Sequence, residues 1–103
     1  MSAALVQLVV VGDLAMQLWR AQTAAENAKA AYHRAIQDYE AEHGQLDRLI
    51  RADDPAHAAV RAHTAPKYLV LQQAKRRVYV LKVRMGKACA KQARLNIVQN
   101  DRK

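Results

Sequence analysis

The sequence predicts an all-α fold: an antiparallel, coiled-coil-like helical hairpin with a short connecting helix. The composition favours helices, because the 103 residues include 21 Ala but only three Gly, two Pro and no Phe. Two long segments also repeat apolar residues at heptad spacing, and both Pro residues lie between the two repeats. Hydrophobic residues make up 51% of the chain, which excludes disorder over its full length.

The first heptad repeat predicts a helix over about residues 13–43. Its apolar positions alternate spacings of four and three residues. These positions are Leu14, Leu18, Ala21, Ala25, Ala28, Tyr32, Ala35 and Tyr39. Gly12-Asp13 predicts a break before this helix, with Asp13 as its N-cap. Residues 5–11, four of which are Val, are then either a separate helical turn or a short strand.

A connector over residues 45–65 is expected between the two long helices. Gly44 has the position of a C′ glycine that ends the first helix. Residues 45–52 are expected to form a short amphipathic turn. Asp53-Asp54-Pro55 predicts the start of a brief helix that ends near His63, with an Asp as its cap and Pro55 at its first position. Thr64-Ala65-Pro66 has the same pattern, with Thr64 as the cap, so the last helix is expected to begin at about residue 67.

The second heptad repeat predicts a basic helix over about residues 67–99. Its positions are Leu71, Ala74, Val78, Leu81, Met85, Ala88, Gln92 and Leu95. Residues 78–83 are rich in strand formers, so a small sheet with residues 5–11 is an alternative. The heptad passes through residues 78–83 unbroken, which favours the helix.

The chain is expected to form a single helical domain over residues 1–103, because its length leaves no room for a second. We call the row of apolar heptad positions on each long helix its seam. A two-helix hairpin buries only one side of each helix, and many apolar residues lie outside the two seams. Such a surface predicts a homo-oligomer, most simply a four-helix bundle, or a subunit of a larger assembly.

Basic residues concentrate in the last third of the chain. Residues 67–103 hold eleven Lys and Arg and one acidic residue, whereas residues 1–66 hold six basic and eight acidic residues. The candidate binding residues are spaced to form one stripe along a helix: Arg77, Arg84, Lys87, Lys91 and Arg94. Like charges at these spacings disfavour an isolated helix, so an external partner is expected to offset the repulsion.

Three interpretations of this stripe compete. It binds the backbone of nucleic acid without sequence specificity, or it docks on an acidic protein as part of a structural or adaptor subunit, or it is a solvated face. We favour nucleic acid and keep the acidic protein as the alternative. No glycine-rich phosphate loop, zinc-finger spacing or RNA-binding aromatic signature supports recognition of a specific sequence.

No set of residues predicts an enzyme, a cofactor or a metal site. Glu40 and His43 have the spacing used in di-iron bundles, but residues 66–103 contain no Glu to complete such a site. Cys89 is the only cysteine, and all four His precede it without a recognisable motif. A non-enzymatic interaction protein is therefore expected.

The apolar run from Ala3 to Trp19 is shorter than the ~20 residues of a membrane span and contains Gln7, Asp13 and Gln17. We expect no transmembrane segment and a location in the cytoplasm or in a particle assembled there.

In general composition the chain resembles small accessory proteins of phages and mobile elements, and equally coiled-coil components of secretion systems. The first resemblance implies an accessory or virion component.

Overall fold

The structure is a computed structural model that describes residues 2–46 and 55–101. Helix α1 covers Ala3–His43, a 3₁₀ turn covers Pro55–His57, and helix α2 covers Ala58–Asp101. The two long helices pack against each other, and the described residues contain no strand. The predicted all-α helical hairpin is therefore confirmed.

The chain divides into two compact units, and each long helix contributes to both. Unit 1 consists of Met1–Thr23 and Arg76–Lys103, and unit 2 consists of Ala24–Lys75. In unit 1 the side-chain amide of Gln7 donates a hydrogen bond to the Ala88 carbonyl oxygen at 3.2 Å. In unit 2 the ring of Tyr32 contacts that of Tyr68, with 5.4 Å between centroids.

Helix α1 begins ten residues earlier than the sequence predicted, so the expected break at Gly12-Asp13 is wrong. Ser2 caps the helix instead, because its hydroxyl accepts a hydrogen bond from the Leu5 backbone N–H at 3.1 Å. Asp13 lies inside the helix, where its carboxylate accepts a hydrogen bond from the Gln17 amide at 2.7 Å. Residues 5–11 are helical, neither a strand nor a separate turn.

The earlier start has a tertiary cause. The first seam continues toward the N-terminus with the same alternating spacing, through Val11, Gln7 and Ala4. Gln7 is only 8% exposed, and its hydrogen bond to α2 satisfies the buried amide. A polar residue thus occupies a seam position, which is why the hydrophobic pattern did not reveal the extension.

The end of α1 agrees with the prediction. Gly44 has φ +96°, a left-handed conformation that glycine adopts without a Cβ clash. Its N–H donates to the Glu40 carbonyl oxygen at 2.8 Å, which is the single bond of an αL C-cap.

Helix α2 begins at Ala58 and passes through Pro66, so the predicted helix start near residue 67 is wrong. Thr64 is not a cap: it is 2% exposed, and its hydroxyl donates to the Val60 carbonyl oxygen at 2.8 Å. Pro66 has no N–H, so the Ala62 carbonyl oxygen lacks its helical hydrogen-bond donor. Both residues are exposed. A proline inside a helix costs about 3 kcal/mol, and burial of Val60 and Thr64 on the opposite face of α2 offsets that cost.

Residues 78–83 lie within α2, so the helical prediction is correct and the strand alternative is wrong. The predicted turn over residues 45–52 lies mostly outside the described residues, because residues 47–54 are not among them. The predicted caps Asp53 and Asp54 lie wholly outside them. The brief helix predicted from Pro55 to about His63 is helical, but it is not a separate element: Pro55–His57 form a 3₁₀ turn, and the residues from Ala58 onward are the first turns of α2.

Both heptad seams form the contact between the helices. Every one of the sixteen predicted seam residues is buried or half-buried. The tightest positions are Leu81 in unit 1 and Val60 in unit 2, each 1% exposed.

Gln92 is a weak point of the seam in unit 1. Its amide nitrogen donates to Asn96 Oδ1 at 2.9 Å, but its buried Oε1 has no hydrogen-bond partner among the residues that the structure describes. An unsatisfied buried acceptor costs about 1–3 kcal/mol.

We expect Gln92→Leu to raise the free energy of unfolding by about 1 kcal/mol, which urea denaturation followed by circular dichroism would measure. Gln73→Leu, the same change at an exposed site of α2, should have almost no effect, and equal effects of the two variants would contradict this interpretation.

Candidate nucleic-acid interface

The five predicted binding residues lie together on α2 within unit 1. Arg77, Arg84, Lys87, Lys91 and Arg94 are all exposed. At 3.6 residues per turn they fall within an arc of about 100° on the helix and extend over about 26 Å of its length. We call this set the basic stripe. The seam residues Leu81 and Ala88 lie beside this arc and hold the helix against α1.

No partner within the described part of the chain neutralises the basic stripe. Between described residues, a basic and an acidic side chain approach each other at His43 and the neighbouring Glu42, with 3.8 Å between Nε2 and Oε2, and neither belongs to the stripe. Asp13 is the only acidic residue of unit 1 whose side chain the structure describes, and it is hydrogen-bonded to Gln17. All five cations therefore face solvent.

The division into units also separates the charge. Unit 1 contains ten Lys and Arg and two Asp, a formal charge of +8, which is the formal net charge of the whole chain. Unit 2 contains seven basic and seven acidic residues and is formally neutral. Sequence reasoning placed the charge in the C-terminal third. The structure adds that the apolar N-terminus of α1 packs against that basic segment.

The other candidate sites have few groups that could take part in catalysis. A groove in unit 2 is lined by Tyr32, Arg61, Thr64, Ala65, Tyr68, Leu69 and Gln72. It combines aromatic and aliphatic surface with one guanidinium and has no acid–base pair or activated nucleophile. Its lining was not predicted, because the expected break at Pro66 placed Thr64 and Tyr68 on different helices.

The other residues weighed from the sequence do not assemble into a site. His43 is exposed, and its ring packs on Tyr39 with 4.4 Å between centroids. Among the described residues, no three His, Cys, Asp or Glu side chains lie close enough together to hold a metal ion. Cys89 is exposed on α2.

The N-terminal part of α1 is a second conspicuous surface. By length and composition α1 is one helix that could cross a membrane, and only 11% of its most apolar segment is buried in the structure. A buried core helix of a soluble protein would have most of that segment covered. The apolar surface is therefore available for contact with something outside the chain.

Comparisons with known proteins do not identify the chain. No protein-family model matches it, and neither a curated protein nor a solved structure gives a significant match. The residues and geometry of the chain itself are therefore the basis for a functional assignment.

Proposed function

We propose that the protein is a non-enzymatic helical protein that binds the phosphate backbone of nucleic acid through the basic stripe. The observation that carries this proposal is the concentration of the net charge, +8, in unit 1, with five exposed cations along one side of one helix. Such an activity suits a small architectural or virion-packaged protein.

The dimensions of the stripe suit a polyanion with regularly spaced charges. Duplex DNA carries one phosphate charge per about 1.7 Å of helix axis when both strands are counted, so a stripe of about 26 Å can meet several phosphates on the side of the duplex that faces it. Lys and Arg side chains are long enough to adjust to such a row without exact register. An acidic protein surface seldom presents so long a row of one charge, and we therefore favour nucleic acid over the adaptor alternative.

The same features support contact with phosphates rather than with bases. The stripe consists only of cations, and none of its members is held by a second side chain within the described residues. Reading a base edge requires donors fixed in a bidentate geometry, whereas a phosphate contact requires only charge at the right distance. Affinity should consequently vary little with sequence and strongly with salt.

Fluorescence anisotropy of labelled duplex DNA, titrated with the full chain across a salt series, tests the proposal. Five phosphate contacts predict a slope of about −4.5 in a plot of log association constant against log salt concentration. Arg84→Glu combined with Lys91→Glu should remove detectable binding at moderate salt, because each change replaces attraction by repulsion.

The matched control is Lys29→Glu combined with Arg34→Glu, two exposed residues of α1 in unit 2. Both double variants carry the same net charge, so only the position of the change differs. Retained binding in the control and loss in the stripe variant support the proposal. Equal weakening in both, or no binding of the original chain at low salt, would refute it. Binding to polyglutamate but not to DNA would favour the acidic-protein alternative.

A further inference from the structure

Helix α1 carries a second apolar seam on the side opposite α2. Its positions alternate spacings of four and three residues, as the inner seam does. They are Leu5, Val9, Gly12, Met16 and Trp19, with Leu8 beside them. The large side chains are 49% to 64% exposed. We call this set the outer seam.

From this surface we infer that the protein pairs with a second copy of itself, α1 against α1, through the outer seam. A heptad seam is the pattern by which one helix packs along another, and lipid contact does not require it. Gly12 lies at the middle of the seam with open space around its Cβ position, so two helix backbones can approach closely there.

The amount of exposed surface fits such a pairing. The chain exposes 7776 Å², whereas folded monomers of this mass typically expose about 5,800 Å². The difference is larger than the roughly 800 Å² that each partner buries in a stable interface of standard size. The total exposed surface of the chain is thus large enough to include an interface of that size.

Charge selects α1 rather than α2 as the contact. The outer seam itself contains no charged residue, and the two charged residues next to it on the helix, Asp13 and Arg20, have opposite signs. Pairing of two outer seams therefore brings few like charges together. Helix α2 has an outer apolar face of its own, which includes Tyr79, Val83 and Ile97. On the helix surface that face is bordered by Arg76, Lys87 and Arg94, and pairing two copies there would bring the cations of both together.

Charge also argues against insertion of α1 into a lipid bilayer. In unit 1 the hydrogen bond from Gln7 ties α1 to the Ala88 carbonyl oxygen of α2. The adjacent segment of α2 carries the basic stripe, so α1 cannot enter hydrocarbon without either leaving α2 or taking those cations with it. Pairing of α1 with α1 leaves the hairpin intact and gives the dimer two basic stripes.

Light scattering during size-exclusion chromatography of the full chain, without nucleic acid, tests this inference separately from the proposed function. We expect a mass of about twice the 11.5 kDa of one chain. Val9→Glu combined with Met16→Glu should weaken association by at least about 100-fold, because it places like charges across the interface. The helical circular dichroism of this variant should persist, since both residues face away from α2.

The matched control is Tyr79→Glu combined with Ile97→Glu, which alters the outer face of α2 at residues 69% and 60% exposed. This variant should remain a dimer. A monomeric original chain at 100 µM, or dissociation by the α2 changes and not by the α1 changes, would overturn the inference. A monomer that sediments with phosphatidylcholine vesicles only while its outer seam is intact would overturn it in favour of a lipid surface.

Discussion

Leu81→Asp should prevent the chain from folding. Leu81 is 1% exposed at the centre of the α2 seam in unit 1. Truncation of a buried leucine costs about 2–5 kcal/mol, and burial of an unpaired carboxylate adds several kcal/mol more. Domains of this size are stable by only about 5–15 kcal/mol. Circular dichroism at 222 nm should therefore show little cooperative structure at neutral pH.

Val83→Asp is the control for this change. Val83 lies two residues further along the same helix but is 40% exposed, on the face away from the seam. It introduces the same residue with the same helix propensity, so its cost should be about 1 kcal/mol or less. Similar urea midpoints for the two variants would show that the seam does not hold the hairpin together.

Replacement of all five stripe residues by Gln should abolish DNA binding and at the same time stabilise the protein. Loss of five phosphate contacts should lower affinity by at least about 1,000-fold at physiological salt and flatten the salt dependence. Gln forms helices about as well as Lys and Arg, so the helix itself is retained. Anisotropy and thermal denaturation of the same preparation measure both effects.

The expected stabilisation comes from removal of repulsion along the stripe. Arg84, Lys87, Lys91 and Arg94 make three successive like-charge pairs at i,i+3 or i,i+4 spacing, and each pair costs about 0.2–0.5 kcal/mol. A rise of about 1 kcal/mol in the free energy of unfolding is expected at low salt, and screening should diminish it at high salt. If the variant were less stable than the original chain, the stripe would have a structural role in place of the proposed one.

The candidate interface could be predicted almost completely from the sequence. Its residues belong to one helix, and the position of a side chain on a helix follows from residue number alone. The heptad through Leu81 and Ala88 fixed which side of that helix is buried, and the basic stripe therefore had to lie beside it. The outer seam of α1 was harder to predict. Helix α1 was expected to begin only at Asp13, so the part of the outer seam that precedes Asp13 was not expected to belong to the same helix.

The sequence by itself determined both inner seams, the end of α1 at Gly44, and the helical state of residues 78–83. These are local features, since heptad spacing and the left-handed conformation of a glycine depend on neighbours along the chain. Only the tertiary structure decided where the helices begin. Gln7 extends α1 because α2 supplies an acceptor for its amide. Helix α2 continues through Pro66 because burial of Val60 and Thr64 on the opposite face outweighs the missing backbone hydrogen bond.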